Sequence, residues 1–137
     1  MKQKFSTKWK ASKQPRKQRK YLANAPLHLR RKFLSANLSK ILREKHGKRN
    51  IQVRKGDKVK IMRGNFKGKS GKITAIKPKL GRIYIENIQR KKLDGSNVQV
   101  PIRPSNMQII ELYLEDKKRK IQKSTESKEK TKKGDKK

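Results

Sequence analysis

The chain of 137 residues sets 43 Lys+Arg against 10 Asp+Glu, a formal net charge of +33, with 30% hydrophobic and 5% aromatic residues and no cysteine. So little apolar material supports one modest folded domain with extensions, and so much like charge requires a polyanionic partner, nucleic acid first. The lack of cysteine excludes disulfides, zinc fingers, zinc knuckles and thiol catalysis, and no apolar run suits a transmembrane helix or signal peptide, so a cytosolic protein is expected.

Residues 1–24 read as a basic N-terminal extension. No acid precedes Glu44, and Lys13, Arg16, Lys17, Arg19 and Lys20 crowd the opening stretch as candidate RNA contacts. Trp9 and Tyr21 interrupt these cations. They have two readings: stacking on unpaired bases, or anchoring the arm on its own domain.

Residues 25–48 read as a helical segment. Leu34, Leu38, Ile41 and Leu42 fall at i, i+4, i+7 and i+8 and predict an apolar stripe on one bent helix or two short ones. Asn24 with Pro26 supplies a start, Ser35 a cap for a second helix, and Lys45 with Gly47 a stop. The opposite face carries Arg30, Arg31, Lys32, Lys40 and Arg43 without an acid, which favours RNA contact over a merely solvated face. His28 and His46 stand at opposite ends of the segment and are expected on the surface, so no metal site is predicted.

Residues 49–116 change to a period of two. Val59 and Ile61 alternate with Lys58 and Lys60, Ile73 and Ala75 with Lys72 and Thr74; Ile83 and Ile85 flank Tyr84, and Val98, Val100 and Ile102 flank Gln99 and Pro101. Short strands with one apolar face are most economically closed on themselves, so the expected class is mainly β, a small SH3-like barrel preceded by short N-terminal helices and flanked by basic extensions. Arg90, Lys91 and Lys92 before the Asp94-Gly95 turn are expected to crown an exposed hairpin that reaches RNA. Residues 117–137, rich in Lys, Glu, Ser and Thr, are expected to be a disordered charged tail.

The most informative stretch runs from Val59 to Ile73. Gly64, Gly68 and Gly71 permit positive φ or close backbone approach, while Arg63, Lys67, Lys69 and Lys72 set cations around a tight turn. Physics alone gives a basic hairpin that can press N–H groups and side chains on phosphates, or an ordinary solvated turn. The stretch resembles the KOW motif of ribosomal proteins and transcription elongation factors, with Gly71 as the motif glycine. Together with Arg54-Lys55-Gly56-Asp57, Arg103-Pro104-Ser105-Asn106-Met107 and the upstream Ala25–Ala36 and Leu38–Arg43, it resembles the archaeal and eukaryotic branch of the universal large-subunit ribosomal protein L-twenty-four family over about residues 2 to 120. Arg103 stands where that family often has histidine, and Asn37 where many relatives have proline.

The resemblance implies a structural, non-enzymatic protein of the cytoplasmic ribosome that binds large-subunit rRNA beside neighbouring ribosomal proteins, acts early in assembly and sits near the polypeptide exit tunnel. Arg54, Lys55, Arg103, Ser105 and Asn106 join the candidate RNA contacts. No cofactor, metal or small-molecule substrate is expected: Asp57, Glu86, Asp94, Glu111, Glu115 and Asp116 are scattered, and Gly64–Gly71 lacks the Gly-Lys-Ser/Thr ending of a P-loop. The competing readings are a stand-alone KOW regulator of transcription, for which the chain is short, a DNA compactor and a membrane-surface protein.

Overall fold

The computed structural model describes residues 3–115 and 119; the tail expected over 117–137 lies, apart from Arg119, outside the described residues. A 3-10 turn (Thr7–Ala11) leads into helix α1 (Pro15–Asn24), whose Pro15 occupies a first-turn position where the missing N–H costs nothing. Helix α2 (Leu27–Phe33), strand β1 (Ser35–Leu38) and helix α3 (Lys40–His46) follow. Then come β2 (Asn50–Gln52), β3 (Lys58–Ile61), β4 (Ser70–Lys77), β5 (Arg82–Ile85), β6 (Gln89–Lys91), β7 (Asn97–Gln99), a 3-10 turn (Pro104–Asn106) and β8 (Met107–Glu111).

Six strands form one mixed sheet in the order β2-β1-β8-β3-β4-β5, while β6 and β7 form a separate antiparallel hairpin. Only β1 and β8 run parallel, with Asn37 opposite Gln108 and Leu38 opposite Ile109. The sheet begins at β2 and ends at β5, with no ladder joining those two strands. Beyond β5, Ile83 exchanges two backbone hydrogen bonds of 2.9 Å with Ile102, tying the sheet edge to the segment that leads into β8. Leu38, Val59, Ile61, Ile73, Ile83, Ile85, Ile88, Met107 and Ile109 form a solvent-excluded core.

Three expectations are corrected. The helical stripe is split: Leu34 and Leu38 are buried by the sheet, whereas Ile41 on α3 is 77% exposed. The reason is β1, which turns 35–38 into a strand with Ala36 and Leu38 inward. Ser35 therefore caps no helix start; its hydroxyl donates to the Lys32 carbonyl at the end of α2, and Ser39 caps α3 by accepting from the Leu42 amide at 3.4 Å. Second, the register shifts between Ile73 and Ala75, so Ile76 rather than Ala75 turns toward the core. Third, Val98 to Ile102 is no single strand: Val98 lies exposed on the hairpin and Ile102 is buried against Ile83.

Two buried polar groups run against expectation. His46 is buried rather than on the surface. Asp57, read as a scattered loop acid, is wholly buried: it accepts from the amides of Arg54 and Tyr113, each at 2.9 Å, and pairs with both guanidinium nitrogens of Arg119. That guanidinium also donates to the Tyr113 carbonyl at 3.0 Å and the Gln52 carbonyl at 3.3 Å. The carboxylate thus locks the β2–β3 loop to the segment after β8.

Candidate nucleic-acid interface

The turn between β3 and β4 is built by its own backbone. The Ile61 carbonyl accepts from the Gly68 amide at 2.8 Å, the Gly64 carbonyl from Lys67 at 3.0 Å and the Phe66 carbonyl from Lys69 at 3.1 Å. Gly64 at φ 91° and Gly68 at φ 89° occupy a region that strains any other residue. Gly71 serves differently: a Cβ there would sit 2.8 Å from the Glu86 carbonyl oxygen, so its lack of a side chain lets β4 pass the end of β5.

This turn meets the segment before β8. The Met62 amide donates to the Asn106 carbonyl at 2.8 Å, and the two pieces enclose an open cleft lined by Arg63, Phe66, Arg82, Arg103 and Asn106. Thus Arg63 and Arg103, forty residues apart, face one space, and Ser105 lies exposed on the adjoining 3-10 turn. Arg82 is the member that sequence reading missed; it opens β5 with no basic run to mark it, and only the sheet order carries it there. Lys67, Lys69 and Lys72 stay exposed around the turn, with the Lys69 ammonium 5.5 Å from the Phe66 ring.

The remaining candidates fall in other places. Arg90, Lys91 and Lys92 are exposed on and beside β6, in the hairpin expected there. Its turn is fixed by Asp94, whose carboxylate accepts from the Ser96 hydroxyl and, at 2.8 Å, from the Ser96 amide. The Ser96 hydroxyl first, and then its amide, hold the Asp94 carboxyl below its ordinary value. Arg31, Arg54 and Lys55 gather around a second cleft, between α2 and the β2–β3 loop.

In the arm, Lys13, Arg16, Lys17 and Arg19 are exposed. Lys20 lies 6.0 Å from the Trp9 ring, and Tyr21 is buried between Phe5 and Phe33, with centroids at 5.5 and 5.6 Å. Tyr21 is therefore an anchor within the arm. Arg30 donates to the Ala25 and Ala23 carbonyls at the end of α1, and Arg43 to the Leu38 carbonyl and the Asn37 side chain. Both guanidiniums serve internal contacts that a count of cations cannot foresee.

Among the described residues, no group of three His, Cys, Asp or Glu converges on a metal-sized site. The surface offers cations and N–H donors, with Asn and Ser between them, which suits phosphate and sugar oxygens.

The family described as "Ribosomal proteins L26 eukaryotic, L24p archaeal" matches residues 12–124. A protein named large ribosomal subunit protein uL24 from Korarchaeum cryptofilum is 50% identical over 109 residues, covering 80% of this chain and 83% of its own. A second of that name, from Nanoarchaeum equitans, is 51% identical over 115 residues, covering 84% of this chain and 77% of its own.

Proposed function

The chain belongs to this family of eukaryotic and archaeal ribosomal proteins, and from that premise we propose that it is a structural, non-catalytic constituent of the large subunit of the cytoplasmic ribosome that binds large-subunit rRNA. The observation that carries the RNA contact is the meeting of Arg63, Arg82, Arg103 and Asn106 at the β3–β4 turn, on a chain of net charge +33. Such a cluster suits recognition by shape, since backbone phosphates and 2′-hydroxyls offer the acceptors that guanidinium and amide groups complement. The hairpin cations Arg90, Lys91 and Lys92 and the arm cations extend the contact to further rRNA segments, beside neighbouring ribosomal proteins.

The same premise supports an SH3-like reading of the β domain with a KOW hairpin. Register shifts in β3 and β4 bend the sheet, and the Ile83–Ile102 bridge draws its β5 edge toward the chain leading into β8. A role in early subunit assembly and a place near the polypeptide exit tunnel follow from the family resemblance.

Fluorescence anisotropy of the full chain with a structured large-subunit rRNA fragment, against DNA duplex of equal length, tests the reading. The RNA is expected to bind more tightly, and replacing Arg63 and Arg103 together with alanine to weaken it by roughly tenfold or more, as charge-assisted bonds are worth about 1.5–3 kcal/mol each. With six to ten phosphates neutralised, affinity is expected to fall by roughly a thousandfold or more between about 50 and 200 mM salt. Equal binding to both nucleic acids, with a flat salt response, overturns the proposal.

A further inference from the structure

The cleft between α2, the β2–β3 loop and the β4–β5 turn has a composition unlike the rest of the surface. Its volume is about 480 Å³, within the range of small-ligand sites, roughly 300–1,000 Å³. Leu34, Val53, Ile76 and Pro78 supply an apolar lining, while Arg31, Arg54 and Lys55 bring positive charge to it. Among the described residues, no carboxylate lines it. A wholly apolar occupant would leave this charge unmatched, and a bare phosphate would leave the apolar lining uncovered.

The aromatic member, Tyr113, is held in place from several sides. Its amide donates to the buried Asp57 carboxylate and its carbonyl accepts from Arg119. Its ring carbons lie 3.1–3.4 Å from where a Cβ on Gly56 would sit, so the ring rests against the glycine backbone, and its hydroxyl donates to Glu115. Even so, Tyr113 is 40% exposed. An aromatic ring fixed by buried bonds and still open to the cleft is a preorganised stacking surface, because little side-chain entropy remains to be lost on binding.

We propose that this cleft takes one unpaired nucleotide of RNA, the base packed on Tyr113 and the apolar lining and the flanking phosphates on Arg31, Arg54 and Lys55. Unpaired bases in bulges and loops can be splayed out and stacked on aromatic side chains, whereas paired bases cannot enter. This rests on the chain being an RNA binder and adds a site that reads an extruded base, which the cationic turns do not.

The test uses the full chain and two short RNA duplexes identical except for one bulged nucleotide. The bulged duplex is expected to bind about tenfold more tightly, in line with a single stacked base. Tyr113→Ala is expected to remove that advantage and keep the affinity for the paired duplex. With iodouridine at the bulge, ultraviolet crosslinking of the unsubstituted chain is expected to place the adduct on the peptide containing Tyr113, a readout that no folding defect can mimic. Equal affinity for both duplexes, or an adduct on Trp9 or Phe66 instead, overturns the proposal. Because neither duplex carries rRNA sequence, a chain that passes here and fails on rRNA keeps the cleft and loses the ribosomal reading, while the reverse result loses only the cleft.

Discussion

Residues 3–33 and residues 34–115 both present dense positive charge, yet they are supported differently. The N-terminal arm buries Tyr21 and Ala25 and is held by the Phe5–Tyr21–Phe33 ring cluster and by polar side chains clipped to carbonyls, such as Gln18 on Trp9, Lys10 and Ser12. The sheet domain buries a continuous aliphatic core and a charged clasp at Asp57. Ordering a residue costs roughly 1–2 kcal/mol of backbone entropy, so the arm lies near balance while the sheet domain has a wide margin. Cations on the sheet turns are thus held at set positions before RNA arrives; those of the arm are positioned by a few contacts that RNA can reinforce.

The comparison is tested most severely at Asp57. Asp57→Ala leaves the Arg119 guanidinium and the Arg54 and Tyr113 amides without their acceptor, and is expected to cost about 3–5 kcal/mol. Denaturant unfolding followed by far-ultraviolet circular dichroism measures it. The single tryptophan, Trp9, lies in the arm and reports that region separately. If its fluorescence transition falls in step with the sheet transition, the two regions unfold as one unit and the distinction fails.

The converse change is smaller. Tyr21→Ala removes two ring contacts, each worth about 0.5–1.5 kcal/mol beyond area burial. The expected outcome is loss of the Trp9 transition and of some helical signal, with the main transition nearly unmoved. A large fall in the main transition would mean that the arm is integral to the core.

How legible each part was follows the reach of its contacts. The β3–β4 hairpin could be read from sequence because its strands, glycines and cations are neighbours along the chain. β1 could not: Leu34 and Leu38 fit a helical period, and what makes 35–38 a strand is parallel pairing with β8, some seventy residues on. Asp57 looked like an exposed acid because its partner, Arg119, stands in the stretch read as tail. Arg30 and Arg43 looked like RNA contacts because composition cannot distinguish a guanidinium facing solvent from one bonded to a nearby carbonyl. Of the candidate interface, Arg63 with Gly64 was visible locally, whereas its meeting with Arg82 and Arg103 required the sheet order.

The smallest effect sharpens the comparison through pH. The arm buries no histidine, whereas α3 ends in buried His46, whose pKa is lowered from its ordinary 6.5 chiefly by burial, and further by Lys45, Lys48 and Arg119. Position at a helix C-terminus favours an imidazolium, so here desolvation and the three cations outweigh the helix dipole. With the folded value below the unfolded one, the unfolded chain takes up the proton first as pH falls. Stability is therefore full above about pH 6.5 and declines below it until the folded value is reached, with a slope of at most about 1.4 kcal/mol per pH unit. Thermal melts from pH 7.5 to 5 in about half-unit steps are expected to show this decline in the main transition and not in the Trp9 transition. His46→Gln is expected to flatten it, because glutamine cannot gain the charge; an unchanged slope in that variant would assign the acid sensitivity to the carboxylates instead.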